Sequence, residues 1–138
     1  MPLKLEIVTP EARIFSDEVD SVVLPGVEGE MGILPAHANL VTTLKPGELR
    51  YTKGGKTTEM AVGEGLVEVT GTTTRVLTDM AINADAIDEK AVEAALERAK
   101  HALENIQPGT DNEEVAATMA MIQRSSAQLH LKRKRHTI

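Results

Sequence analysis

The hydrophobic pattern changes period once, near Ala84, and that change constrains the fold more than any other feature of the 138-residue chain. Before it, Leu3, Leu5 and Ile7 alternate with Lys4 and Glu6. Short β-branched runs follow at Glu18 to Leu24, Asn39 to Leu44, Glu48 to Thr52, Thr57 to Val62, Leu66 to Thr70 and Thr73 to Met80. A period of two with frequent Gly, Pro and Asn predicts the strands of a sandwich or barrel. Lys53-Gly54-Gly55-Lys56 joins two runs as a hairpin turn, since paired glycines accept the positive φ of a primed turn, and Gly71-Thr72 is a second such site. After Ala84 the steps become four, three, four and three. Val92, Leu96, Ala99, Leu103 and Ile106 fall on one face of a helix that begins at Asp85 or Asp88. Gln107-Pro108-Gly109 ends it. Thr110 and Glu113 then form a capping box, and Val115, Met119, Ile122, Ser126 and Leu129 repeat the step. The connection is short, so the helices form an antiparallel hairpin, with facing surfaces rich in alanine from Ala91 to Ala102 and from Ala116 to Ala127. At about 25 cal/mol per Å² such small residues hold helices together weakly, which leaves the hairpin able to rearrange. The expected fold class is α+β: an N-terminal antiparallel β-sandwich over residues 1–84 and a C-terminal antiparallel two-helix hairpin over residues 85–138.

This length suits one ordinary domain or two very small ones. No run approaches eighteen apolar residues, and Met1-Pro2-Leu3-Lys4-Leu5-Glu6 lacks a basic region ahead of an apolar one, so neither a membrane span nor a signal peptide is expected. Zero cysteines exclude disulfides, thiolate metal sites and cysteine nucleophiles. The aromatics are Phe15 and Tyr51 alone, too few for a nucleic-acid groove built on stacked rings.

Charge is distributed unevenly. Residues 1–84 carry seven Lys/Arg against twelve Asp/Glu, residues 85–114 three against nine, and residues 115–138 five against none. A cationic tail on an acidic body suits a partner with an anionic surface. The run Leu131-Lys132-Arg133-Lys134-Arg135-His136 reads in three ways: a solubilising end, a nucleic-acid or lipid patch, or a docking surface for an acidic protein. The acidic body and missing aromatics speak against nucleic acid, and the lack of bulky apolar neighbours against lipid anchoring.

Catalysis finds little support. Gly54-Gly55-Lys56-Thr57 ends like a phosphate-binding loop, but its first glycine would fall at Arg50, in a hairpin and not between strand and helix. His37 stands alone in the strand-rich half and reads as a turn or interface residue, not as a metal ligand or base. His101 and His130 read as solvated helix residues, and Ser125 and Ser126 lie mid-helix, away from any sharp nucleophile turn. No catalytic or metal-binding residue is assigned.

The segment Pro25 to Gly47 holds four glycines and three prolines among apolar residues. Its string G-x-x-G-x-x-G-I-L-P-x-H-x-x-L, followed by L-x-P-G, resembles the N-terminal domain of the epsilon subunit family of F-type ATP synthases. Val62 to Val69 and Arg75 to Ala81 resemble further strands of that family in the same order.

The resemblance implies a non-catalytic subunit at the foot of the rotor, contacting the gamma subunit and the c-ring and coupling proton flow to ATP synthesis. It implies a position peripheral to the membrane, on the cytoplasmic face of the bacterial inner membrane. Glu28, Gly29, Glu30, Met31, Gly32 and His37 would face gamma or the c-ring. The hairpin would fold against the sandwich or extend along gamma, where Arg124, Lys132, Arg133, Lys134 and Arg135 would meet acidic loops of the beta subunits among the alpha and beta subunits and inhibit ATP hydrolysis. Some members bind ATP through I/L-D-x-x-R-A. Here Ile87 and Asp88 remain, but Ala91 and Val92 replace the arginine and alanine, so a bidentate phosphate ligand is lost. Arg98, two turns later, is the remaining substitute, and at most a weak ATP site on Ile87, Asp88 and Arg98 is implied. The alternative is a free-standing β-sandwich adaptor whose basic helix docks an acidic protein or nucleic acid. Co-purification with gamma separates the two.

Overall fold

A computed structural model describes residues 3–35 and 38–136, with side chains described through Lys134. Ten strands come first: β1 (Leu3–Val8), β2 (Arg13–Val19), β3 (Ser21–Gly26), β4 (Gly29–Ile33), β5 (Leu40–Leu44), β6 (Gly47–Lys53), β7 (Lys56–Val62), β8 (Gly65–Thr70), β9 (Thr73–Thr78) and β10 (Ala81–Asn83). A 3-10 turn at Ala84–Ala86 leads into α1 (Glu89–Glu104) and α2 (Asn112–His136). The α+β class and the strands-then-helices order are those expected from the change of period.

Hydrogen bonding runs in the order β10-β7-β6-β3-β5-β8-β9-β1-β2, with β4 paired to β3. β3 and β5 meet only at Gly26 and Leu44, so one pair joins two halves that stack face to face. Leu3, Leu5, Ile7, Val67 and Val76 of one half bury against Val22, Leu24, Leu49 and Val62 of the other. Phe15 on β2 meets Tyr51 on β6 with ring centroids 4.5 Å apart, closing the sandwich at its edge. All pairs are antiparallel except β1 with β9, which run parallel from Lys4 opposite Thr73 to Val8 opposite Leu77. Alternation fixes which face a residue takes but not the direction of a partner some seventy positions away, so this pairing departs from the antiparallel expectation.

The turn readings are met: Gly54 and Gly55 have φ of 58° and 81° between β6 and β7. Two strand readings change. The run Glu18 to Leu24 breaks at Asp20, whose carboxylate accepts from the Gly54 amide at 3.0 Å while its own amide donates to the Thr52 carbonyl at 2.7 Å. The glycine-rich corner itself contains β4, which pairs with β3 from Val22 opposite Ile33 to Gly26 opposite Gly29.

In the helices, the Asp88 carboxylate accepts from the Ala91 amide at 3.1 Å and starts α1. α1 stops at Glu104, so Ile106 falls beyond it. Thr110 is not the cap of α2; its hydroxyl donates to the Gln107 carbonyl at 2.6 Å. Asp111 takes that place, accepting from the Glu113 amide at 3.0 Å, and its charge also suits the positive end of the helix. The buried stripe of α2 departs from the expected one. Met119 is 49% exposed and Ser126 is exposed, whereas Ser125, Leu129 and Leu131 are buried. The reason is that α2 lies against both α1 and the sheet, and one helical stripe cannot describe two contact faces. Leu131 joins Ala61 of β7, Ala84 and Ile87 in a second buried cluster, flanked by Met80, Ile82 and Val92. Of the alanines assigned to the seam only Ala99 is buried; Leu96 and Leu129 supply the larger side chains there.

Candidate functional site

The corner is a hairpin with Val27 and Glu28 exposed at its turn, and β4 presents Gly29, Glu30 and Gly32 to solvent while Met31 packs onto the main core. Residues 26–31 border a cleft of about 470 Å³ with Leu40 and Thr42 on its wall. The Glu30 carboxylate receives both terminal nitrogens of Arg50, at 3.3 and 3.2 Å. His37 lies outside the described residues.

The cations of α2 do not form one patch. The four whose side chains are described, Arg124, Lys132, Arg133 and Lys134, each reach a different acceptor of this chain. Arg124 Nη1 donates to Asp79 Oδ2 at 3.0 Å, and Lys132 Nζ to the Ala84 carbonyl at 3.4 Å. Arg133 reaches Glu89 at 3.1 Å and Glu93 at 3.5 Å on α1. Lys134 Nζ donates to Glu48 Oε2 on β6 at 2.8 Å and lies 4.0 Å from Glu59 on β7. The Arg135 side chain lies outside the described residues. Gly63 makes the Arg124 contact possible: a Cβ there would sit 1.8 Å from Asp79 Oδ1 and 3.3 Å from Arg124 Cγ. Ion pairs of this exposure contribute about 0.2 to 1 kcal/mol each, so the hairpin is held to the sandwich by several weak latches around the buried Leu131.

The acceptors Glu48, Asp79, Glu89 and Glu93 escape sequence reasoning because they stand 40 to 86 positions from their partners. The only sequence signal was the acidic excess of the body. Equally unannounced is a row of apolar side chains on the outer face of the other half. Leu66 and Leu77 are direct cross-strand neighbours, exposed, and Val41 on β5 is 68% exposed. Soluble sheets seldom leave adjacent large aliphatics facing water without a partner to cover them.

The three residues of the implied nucleotide site are not assembled around one point. Ile87 is buried in the second cluster and the Asp88 carboxylate is engaged as a helix cap. Arg98 is exposed ten residues further on, roughly 15 Å along the helix at 1.5 Å per residue. Among the described residues no group of three or more His, Asp or Glu is arranged to hold a metal ion.

Burial pushes the Glu48 carboxyl up, but a proton shared with the neighbouring Glu59 carboxyl, the hydrogen bond from Lys134 and the charges of Lys134 and Arg50 outweigh it and leave the group below its ordinary value of 4.5. Only the Lys134 share of that depression belongs to docking, because Arg50 and Glu59 stay beside Glu48 when α2 leaves; the share is present while Glu48 is ionised and is lost as pH falls through its lowered docked value. Docking is therefore expected to be flat from pH 8 to 6 and to weaken below about pH 4.5. Glu48→Gln should blunt that acid response in a titration of α2 hydrogen exchange. Parallel curves for the two proteins would show that Glu48 is not the titrating latch.

No helix among the described residues is long and apolar enough to cross a membrane. Residues 2–84 match the ATP synthase delta/epsilon chain β-sandwich domain. The chain is 51% identical over 100 residues to the ATP synthase epsilon chain of Desulforamulus reducens, covering 72% of this chain and 76% of the relative. It is 41% identical over 136 residues to that of Herpetosiphon aurantiacus, covering 97% of this chain and 100% of the relative. In fold it is similar to a chain in the mitochondrial ATP synthase of Euglena gracilis solved as an OSCP/F1/c-ring assembly, with a TM-score of 0.71 at 23% identity, over 94% of this chain and 79% of that one. The strand order, the glycine corner and the helical hairpin thus stand on a sequence match spanning nearly the whole molecule, and the chain belongs to the epsilon subunit family of F-type ATP synthases.

Proposed function

We propose that this chain is a non-catalytic subunit of the central stalk, which joins gamma to the c-ring, couples proton flow to ATP synthesis and restrains ATP hydrolysis through α2. It works peripheral to the membrane, on the cytoplasmic face of a bacterial inner membrane. The observation that carries the reading is the set of α2 cations, each resting on an acceptor of this same chain. Such contacts are exchangeable: an acidic surface on beta offers Lys132, Arg133 and Lys134 equivalent partners, and the two hairpin positions then differ by only a few kcal/mol. The β4 corner and the exposed Leu66, Leu77 and Val41 row supply contact surfaces for gamma and the c-ring. ATP has no assigned part, because Ala91 removes the guanidinium, Ile87 is buried, Asp88 caps α1 and Arg98 stands well along the helix from both.

Gly32 gives a test of the corner that spares the fold. A Cβ at Gly32 meets nothing within 4 Å, whereas Gly29 has φ +119° and would be strained by any side chain. Gly32→Val is expected to leave the melting temperature of the isolated chain nearly unchanged while reducing its recovery with gamma and the c-ring. Full recovery of the complex would remove the corner from the interface.

A further inference from the structure

Four side chains of alternating charge run from the exposed corner to the hairpin. Glu30 holds Arg50 at 3.3 and 3.2 Å, Arg50 Nη1 lies 3.6 Å from Glu48 Oε2, and that same oxygen accepts from Lys134 at 2.8 Å. The sheet fixes their spacing. Arg50 pairs across β3 at Val23, Glu30 pairs with Pro25 on the other edge of β3, and Glu48 stands two residues before Arg50 on the same face. Rearrangement is thereby confined to side chains. One guanidinium faces Glu30 and Glu48, with Glu59 opposite it across β6 and β7, and one carboxylate oxygen of Glu48 faces two cations.

We propose that Glu30 and Lys134 are energetically coupled through Arg50 and Glu48, so that a cationic group docking on Glu30 at the corner loosens the hairpin. The identity of the docking subunit rests on the rotor reading above, whereas the coupling belongs to the chain itself. Two effects act with the same sign when Glu30 is neutralised. Arg50 turns its unshared charge to Glu48 and competes with Lys134 for Oε2, and that same charge repels the Lys134 ammonium. The state of Arg50 agrees: the hydrogen bonds it donates to Glu30 raise its pKa most, burial opposes this, and the charges of Glu30, Glu48 and Glu59 add to the rise. Arg124 and Arg133 are outside this line of contacts, so occupation of Glu30 shifts the hairpin equilibrium without opening it outright. Corner and tail, far apart in sequence and assigned to different partners, then work as one device: engagement below eases release above.

The test uses the full-length chain and amide hydrogen exchange in α2 between Leu129 and Lys134. Glu30→Gln is expected to speed exchange there about threefold, a change of the size that exposed ion-pair couplings produce. In an Arg50→Met background the same substitution should change nothing. Glu28→Gln, on the same hairpin but outside the line of ion pairs, should also change nothing. The coupling is overturned if Glu30→Gln leaves exchange unaltered, if its effect persists without Arg50, or if Glu28→Gln matches it. Recovery with gamma is measured separately: its absence, with the exchange pattern intact, counts against the rotor reading and not against the coupling.

Discussion

Leu131→Ala is expected to release the hairpin while leaving the sandwich folded. Leu131 is 1% exposed and is the one large α2 side chain in the second cluster, where it meets Ala61, Ala84 and Ile87. Truncating a buried leucine costs about 2 to 5 kcal/mol, since the cavity left behind adds to the lost transfer energy. The surrounding ion pairs are exposed and contribute too little to compensate. The main core, by contrast, draws its buried residues from Leu3 to Val76 and contains nothing from α1 or α2. Exchange of α2 amides should therefore rise roughly thirtyfold or more, as a loss of about 2 kcal/mol requires, with β1, β8 and β9 unaffected. Equal acceleration in α2 and in those strands would mean that hairpin and sandwich unfold as one unit.

What the sequence disclosed was what local chemistry determines. Paired glycines at Gly54 and Gly55 specify a primed turn whatever they connect, and Asp88 caps α1 through a bond three residues long. The α1 face of Val92, Leu96, Ala99 and Leu103 was legible because one side of that helix meets the rest of the molecule. α2 was less legible because it is covered on two sides, which blurs any single period and moves burial from Ser126 to Ser125 and from Met119 to Leu131. Asp111 displaced Thr110 as the cap because adjacent residues of similar capping strength are decided by loop geometry. The parallel β1–β9 pair and the latch acceptors Glu48 and Asp79 are matters of long-range placement. No local pattern encodes them. The basic tail was visible as a charge run, but not that its members would fan out onto three separate supports.

Removing residues 115–138 is expected to leave assembly and ATP synthesis largely intact and to raise ATP hydrolysis by the assembled enzyme. Assembly survives because the main core and the β4 corner lie wholly outside the deleted segment. Hydrolysis rises because the segment carries five positive side chains and no acid, whereas residues 1–114 carry ten Lys/Arg against twenty-one Asp/Glu. Attraction acts over a Debye length of about 8 Å at physiological ionic strength, so it takes hold only after the hairpin has opened. On opening, Arg124, Lys132, Arg133 and Lys134 exchange their present acceptors for those of the neighbour, while Ile122, Leu129 and Leu131 need a new apolar surface such as gamma. Neutralising Lys132, Arg133, Lys134 and Arg135 together, with the helix left in place, should give part of the same rise. The decisive measurement is the steady-state ATP hydrolysis rate of the purified complex containing the full chain against that of the complex ending at Glu114. A higher rate after truncation is the expected result; equal or lower rates, with the same subunit stoichiometry, would contradict a restraining role for α2.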